Sequence, residues 1–182
     1  MLVDFVVVGL LWGFLRGGKL RNLSRVDFPF LWVIILGFGL EFLAVGGVLQ
    51  PFVVFNLVGR GLVLLGALLN ARLYGMKLVS LGAFLNFLVI ALNGGKMPVS
   101  LTVTSWLGLK SLVGHLENNY YPDYTILSSS TLLPFLGDVV PYFSFLSRRF
   151  FVASVGDYLL GIGVMLFLAH YLRNEAGEEN NQ

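Results

Sequence analysis

The 182-residue chain contains no cysteine and only two histidines. The absence of cysteine excludes disulfide bonds, thiolate nucleophiles and cysteine-based zinc or iron–sulfur centres. His115 lies in an amphipathic segment and His170 near the end of the last apolar stretch. The two imidazoles are not expected to meet, so neither a metal site nor a cofactor is predicted. Charged residues make up only 12% of the chain, about half of what a soluble domain carries. These shortages exclude a disulfide-stapled secreted domain and argue against a cytosolic enzyme.

The chain has an excess of apolar residues. The AVILMFWYC set makes up 57% of it, and there are 22 glycines besides. A soluble fold of this size would leave much of this material facing water. The net charge is +2, but the basic residues fall in short breaks between apolar runs, so no nucleic-acid partner is predicted. The composition predicts an all-α integral membrane protein whose main partner is the lipid bilayer.

Five apolar stretches are candidate transmembrane helices. A full crossing needs about 20 residues, with about 17 as the lower limit. The second and fifth stretches meet this length, whereas the first and fourth reach it only if the residues at 16–18 and 92–95 extend them. The sequence thus predicts about five transmembrane helices, at 2–15, 29–49, 52–69, 78–92 and 152–172.

The domain organisation follows from these stretches. Residues 1–173 are predicted to form a single helical membrane domain, with one long outer segment at 93–151. The first stretch has no basic region before it and no small-residue cleavage site, so it is predicted to be a retained helix and not a signal peptide. The acidic, amide-rich end at 174–182 is predicted to be a disordered cytoplasmic tail.

The distribution of basic residues predicts the orientation. Lysines and arginines concentrate on the cytoplasmic side of membrane proteins. Here they follow the first, third and fifth stretches, which alternate onto one side. The prediction is a multi-pass membrane protein with its N-terminus outside and its C-terminus in the cytoplasm. The residues concerned are Arg16, Lys19, Arg21, Arg25, Arg72, Lys77 and Arg173.

Three glycines in the first stretch predict close helix packing. Gly9, Gly13 and Gly17 recur every four residues and therefore share one helix face. Such small-residue faces allow another helix to approach closely.

The outer segment contains two interfacial candidates. Apolar residues of 101–117, among them Trp106 and Leu116, fall on one side of a helical wheel, which predicts an amphipathic helix lying in the membrane interface. The apolar stretch at 132–143 is interrupted by Pro134 and Pro141, which favours a re-entrant or interfacial loop over a helix.

Several polar side chains are predicted to converge on the outer side. Polar groups within a membrane are costly and usually face the interior of the helix bundle. The sequence therefore predicts an outer polar pocket that binds a ligand or carries out a reaction. The alternative is that these groups only cap and cross-link helices. The residues are Asn86, Asn93, Lys96, Asp138, Ser154 and Asp157.

Glu41 and Arg60 are the two charges deepest within apolar stretches. Each lies about nine residues from the turn at 50–51, so at 1.5 Å per residue the two side chains reach the same depth. Because an isolated charge is expensive in hydrocarbon, they are predicted to form a buried ion pair. Separate snorkelling of each side chain is the alternative.

Several ordered motifs resemble a family of small bacterial inner-membrane proteins whose function is unknown. The resemblance covers nearly the whole chain and implies a multi-helix bacterial membrane protein, without supplying an activity. It is carried by Asn86 and by the segments 16–23 (RGGKLRNL), 92–100 (LNGGKMPVS), 133–141 (LPFLGDVVP) and 152–163 (VASVGDYLLGIG).

Three classes of function are compatible with these residues. The default is a non-catalytic membrane factor that binds lipid or a membrane-protein partner. The second is a small-solute transport or binding subunit. The third is a membrane aspartyl hydrolase in which Asp138 and Asp157 share a proton and activate water. The segment from Phe151 to Asp157 is similar to the last motif of lipoprotein signal peptidases, but that family's Asn-x-x-Asp-Arg motif has no counterpart here.

Overall fold

The computed structural model describes residues 1–173, so the tail predicted at 174–182 lies outside the described residues. The described part is mostly helical, as predicted. Its eight α-helices are α1 (Leu2–Leu15), α2 (Leu20–Leu23), α3 (Leu31–Val45), α4 (Phe52–Leu69), α5 (Met76–Leu92), α6 (Leu101–Trp106), α7 (Lys110–Glu117) and α8 (Val155–Arg173).

The five long helices pack side by side in the order α3, α4, α5, α8, α1. Neighbours in this row run antiparallel except α8 and α1, which run parallel. As a result, α1, α4 and α8 start at the same end of the row at which α3 and α5 finish. Residues 93–153 fold over that end. We call this segment the cap, and the end that it covers the capped end.

Glycines allow two of these helices to approach closely. A side chain on Gly9 would lie 2.7 Å from the carbonyl oxygen of Met165, and one on Gly13 would collide with Leu172. The predicted packing face is confirmed for these two glycines, which meet α8. It is wrong for Gly17, which has no neighbour within 4 Å and a φ of +81°, because it lies in the turn that ends α1.

Two helices, α4 and α8, are long and apolar enough to cross a membrane. The other three long helices have 14, 15 and 17 residues, so five full-length transmembrane helices are not supported. Glycines with positive φ follow each of the three: Gly17 after α1, Gly47 after α3 and Gly94 after α5. Because this backbone conformation cannot continue a helix, the extensions expected at 16–18 and 92–95 do not form.

The cap contains strands, which corrects the all-α prediction. Strand β1 (Met97–Val99) pairs in parallel with β2 (Tyr124–Ile126), and β3 (Val140–Ser144) pairs antiparallel with β4 (Arg149–Ala153). A cluster of buried residues joins the end of α5 to the cap: Val89, Ile90, Met97 and Leu136.

Both interfacial candidates are built differently from the prediction. The single helix expected at 101–117 is divided into α6 and α7, because Gly108 has a φ of +71°. The loop expected at 132–143 contains a 3₁₀ turn at Pro134–Leu136 and then enters β3. Side chains of β3 alternate between the inside and the outside, a period of two that indicates a strand.

Candidate functional site

The concave side of the helix row contains a cleft of about 740 Å³. Each long helix contributes side chains three or four positions apart, which lie on one helix face. The segment 23–28 lines the cleft from the end opposite the cap, and we call it the floor. Asp27 of the floor pairs with Arg72 at 2.7 Å. The lining from the five long helices consists of Leu2 and Val6 of α1; Leu31, Ile34, Phe38 and Glu41 of α3; Arg60, Val63 and Ala67 of α4; Met76, Val79, Ala83, Asn86 and Phe87 of α5; and Asp157, Leu160, Val164, Phe167 and Leu168 of α8.

The polar lining is confined to the half of the cleft nearest the cap. Glu41, Arg60, Asn86 and Asp157 lie there, whereas the lining towards the floor is apolar. A cavity with one long apolar part and a few polar groups at one end suits an amphipathic ligand.

Glu41 and Arg60 meet across the hairpin of α3 and α4. Arg60 Nη2 lies 3.6 Å from Glu41 Oε2, with the side chains 23% and 16% exposed respectively. The helices approach closely here. Gly59 allows this approach because it has no side chain, and a side chain at this position would collide with Glu41. Arg60 Nε donates to Asn56 Oδ1 at 3.3 Å, and Asn56 Nδ2 donates to the carbonyl of Gly95 at 2.8 Å. Asn56 thus links the arginine to the start of the cap.

Asn86, Ser154 and Asp157 form a closed ring of hydrogen bonds between α5 and the start of α8. The Ser154 hydroxyl donates to Asn86 Oδ1 at 2.8 Å, and Asn86 Nδ2 donates to Asp157 Oδ1 at 2.8 Å. The backbone N–H of Asp157 donates to Ser154 Oγ at 2.9 Å, and that of Ser154 donates to Asp157 Oδ2 at 3.2 Å. The last two bonds form a capping box, which explains a serine followed three residues later by an acid at a helix start.

Asp138 is held within the cap by its backbone. Its N–H donates to Pro98 at 2.8 Å, and its carbonyl accepts from Ser100 at 3.0 Å. The residue is only 7% exposed, and its Oδ1 has no hydrogen-bond partner among the described residues. Burial raises the pKa of Asp138 well above the usual range, and the negative charge of Asp157 raises it further. The two aspartates therefore interact through their charges, but no hydrogen bond between them is found within residues 1–173.

Asn93 and Lys96 do not line the cleft. Asn93 Nδ2 donates to the carbonyls of Val89 and Leu132, and Asn93 Oδ1 accepts from the N–H of Leu132 at 3.0 Å. This asparagine fastens a cap loop to the end of α5. Lys96 is half-buried and forms no ion pair with any residue of the described part. Nor does that part contain a group of three or more His, Asp or Glu side chains arranged to hold a metal ion.

Sequence reasoning missed two residues of this region. Asn56 is fully buried, and its signal was present, since it lies one helical turn before Arg60 in an apolar stretch. Tyr124 packs against the buried cluster of the cap. Burial raises the pKa of its hydroxyl group, and the charge of Asp138 raises that pKa further. No local pattern indicated Tyr124, because its position depends on the pairing of β1 with β2.

The chain belongs to a family described as "Family of unknown function (DUF5317)", which matches residues 25–169. The predicted membership of a family of unknown function is thereby confirmed. A protein of the bacterium Thermotoga maritima, described as uncharacterised, is 30% identical over 167 residues, which cover 92% of this chain and 89% of that protein. No solved structure matches the chain.

Proposed function

We propose that the chain is a multi-pass protein of the bacterial plasma membrane, with the five-helix row embedded in lipid and the capped end outside. Only 22% and 28% of the apolar windows of α4 and α8 are buried, so neither resembles the core helix of a soluble protein. The shorter helices also carry large exposed apolar side chains, such as Leu15 at 86% and Phe42 at 79%. Apolar surface of this extent is stable in lipid and not in water.

Cysteine labelling tests this orientation, because the native chain has no cysteine. Asn119→Cys, in the cap, should react with a membrane-impermeant maleimide in intact cells. Arg25→Cys, in the floor, should react only after the cells are permeabilised. The reverse pattern would contradict the orientation, and equal labelling of both in intact cells would contradict the embedding.

Within this arrangement, the protein acts as a lipid-binding membrane factor that holds one amphiphile in the cleft. The observation that carries this proposal is the separation of the lining into an apolar half and a polar half that contains Glu41 and Arg60. A hydrocarbon chain fits the apolar half, where it removes apolar side chains from contact with water or disordered lipid. A polar head group fits near Arg60, which keeps N–H donors beyond the one bonded to Asn56.

The dimensions of the cleft agree with this occupant. Its volume of about 740 Å³ falls within the range of about 300 to 1,000 Å³ of small-molecule sites. Along α8 it extends from Asp157 to Leu168, which is about 16 Å at the rise of an α-helix. This length is about half of a 30 Å hydrocarbon core, and so it matches the chain of a lipid from one leaflet.

The ends of the helix row provide an entrance from the bilayer. α1 and α3 both line the cleft, yet they occupy opposite ends of the row and lack the extensive packing that joins neighbouring helices. An amphiphile that slides between them keeps its chain in an apolar environment throughout.

A matched pair of tryptophan variants tests the cleft. Val6 lines it, whereas Val8, two residues further along α1, is exposed on the outer surface of the row. Protein purified from vesicles of phosphatidylethanolamine and phosphatidylglycerol should carry one amphiphile by native mass spectrometry. Val6→Trp should reduce the bound fraction at least about fivefold by filling the space, and Val8→Trp should not. Equal retention by both variants, or none by the native protein, would exclude the proposal.

The two alternatives from the sequence have less support. A hydrolase needs an aspartate pair that shares a water, but both carboxylate oxygens of Asp157 already accept hydrogen bonds, and Asp138 does not line the cleft. A transport path needs a second opening, and the floor lines the cleft at the end where that opening would lie.

A further inference from the structure

The hairpin of β3 and β4 carries a group of exposed apolar side chains. Phe143 and Phe150 are cross-strand partners with ring centroids 5.0 Å apart. Five large apolar side chains around the hairpin tip are each 41 to 51% exposed: Phe143, Phe145, Leu146, Phe150 and Phe151. Exposed apolar side chains grouped in this way indicate a contact with lipid or another apolar surface.

The hairpin is fixed in place. Asp4 Oδ1 accepts hydrogen bonds from the Ser144 hydroxyl at 3.0 Å and from the Leu146 N–H at 3.1 Å. At the other end of the hairpin, the Tyr158 hydroxyl donates to the Pro141 carbonyl at 2.8 Å. Asp4 lies in the first turn of α1 and Tyr158 in the first turn of α8. The hairpin tip is therefore level with the ends of the helices and does not project beyond them.

Two cationic side chains lie beside this apolar tip. Arg148 and Arg149 are exposed, and neither forms an ion pair with any residue of 1–173. Arginine binds phosphate through a planar fork of donors. Aromatic rings and basic side chains together are typical of segments at the level of lipid head groups.

We propose that the β3–β4 hairpin is a lipid-binding wedge. Its phenylalanines and Leu146 insert into the leaflet at the capped end, and Arg148 and Arg149 bind the phosphate of an anionic phospholipid. The charge of the arginines selects an anionic head group over a zwitterionic one. This inference rests on the proposed embedding of the helix row in a membrane, but not on the occupant of the cleft.

Depth-dependent quenching tests the insertion. An environment-sensitive fluorophore is attached to Leu146→Cys in protein reconstituted into vesicles that contain chain-brominated phosphatidylcholine. Leu65→Cys, exposed about one turn before the end of α4, provides the lipid reference, and Asn119→Cys provides the water reference. The probe at 146 should be quenched nearly as strongly as that at 65, while the probe at 119 stays bright.

The reference positions separate two kinds of failure. Quenching at 65 without quenching at 146 would overturn the wedge and leave the embedding of the helices intact. No quenching at 65 would overturn the embedding and the wedge with it.

Head-group selection is measured with the same probe at 146. Phosphatidylglycerol and phosphatidylcholine that carry the same quencher are compared at equal mole fraction, and the native hairpin should favour the anionic lipid. Replacing Arg148 and Arg149 by Gln should lower this preference by up to about 25-fold, since each of the two basic residues at an anionic surface contributes about a factor of five. Replacing Arg21 and Arg25, at the opposite end of the row, should leave the preference unchanged. An unchanged preference in the hairpin variant, or an equal loss in the control, would refute phosphate binding by these arginines.

Discussion

Arg60 Nη2 lies 3.6 Å from Glu41 Oε2, which is close enough for a strong charge interaction but longer than an N–H···O hydrogen bond. The hydrogen bond of the guanidinium goes instead to Asn56, one turn earlier on the same helix. The arginine is thus positioned by two partners, and its remaining donors are available to a ligand in the cleft.

The first prediction concerns the energy of this pair. Glu41→Gln should lower the free energy of unfolding by about 2 to 3 kcal/mol, because it leaves Arg60 without a counter-charge. The double variant Glu41→Gln with Arg60→Gln should recover at least half of that loss. Thermal unfolding in detergent of the native protein, the single variants Glu41→Gln and Arg60→Gln, and the double variant gives the coupling energy. If the two single losses simply add, the charges do not stabilise each other.

The equal depth of Glu41 and Arg60 could be predicted because it needs only the rise per residue and the position of one turn. A hairpin of two helices is symmetrical about its turn, and neither neighbouring helices nor loops change this relation. Helix length could not be predicted in the same way. Hydropathy continues across Gly47, but its positive φ angle, which ends α3, has no hydropathy signal.

The polar residues of the candidate site also differ in how far they could be predicted from the sequence. The capping box of Ser154 and Asp157 is a local motif, and a spacing of three residues is enough to predict it. Its connection to Asn86 depends on the packing of α8 against α5, which brings together residues about 70 positions apart. The strands of the cap were missed for the same reason, since each pairs with a segment that the sequence alone does not identify.

The second prediction tests whether Asp157 has a structural role. Ser154→Ala removes a helix cap worth about 1 kcal/mol and also leaves Asn86 Oδ1 without its donor, so a total loss of about 2 to 3 kcal/mol is expected. Asp157→Asn should cost about 1 to 2 kcal/mol, because its amide group faces an N–H donor. Ser128→Ala, on an exposed cap loop, serves as the control and should be neutral.

Amphiphile binding distinguishes the two roles of Asp157. If the role is structural, the folded fraction of Asp157→Asn should bind one amphiphile per molecule, as the native protein is expected to do. A variant of unchanged stability that no longer binds would instead assign Asp157 to the ligand.

The third prediction compares two glycines of α3. A side chain on Gly37 would lie 2.6 Å from the carbonyl oxygen of Gly59 and 2.8 Å from the backbone nitrogen of Val63, whereas one on Gly39 would have no neighbour within 4 Å. Gly37→Ala should therefore force α3 and α4 apart and cost about 1 to 3 kcal/mol. Gly39→Ala should raise stability by about 0.5 to 1 kcal/mol through helix propensity. Melting temperatures in detergent that shift in the same direction for both variants would show that α3 does not approach α4 at Gly37.

The last prediction concerns the pH dependence caused by Asp138. Burial and the nearby carboxylates of Asp157 and Asp123 raise the pKa of its carboxyl group, and Arg60 opposes this only in part. Between the ordinary aspartate pKa and the raised value, the folded protein retains a proton that the unfolded chain has released. The contribution of Asp138 to stability is therefore complete below the ordinary pKa and is lost as the pH rises through the raised one.

Asp138→Asn should remove this dependence. The amide has the shape of the neutral acid, and Oδ1 loses no hydrogen bond among the described residues because it has none there. Thermal unfolding between about pH 4 and about pH 8 should show a smaller decline with pH for the variant than for the native protein, with the variant the more stable at the upper end. Glu117→Gln, which changes an exposed carboxyl group of the cap, should keep the native profile. A variant that is destabilised equally at every pH would contradict the raised pKa of Asp138, because the carboxyl group would then not change its charge between these pH values.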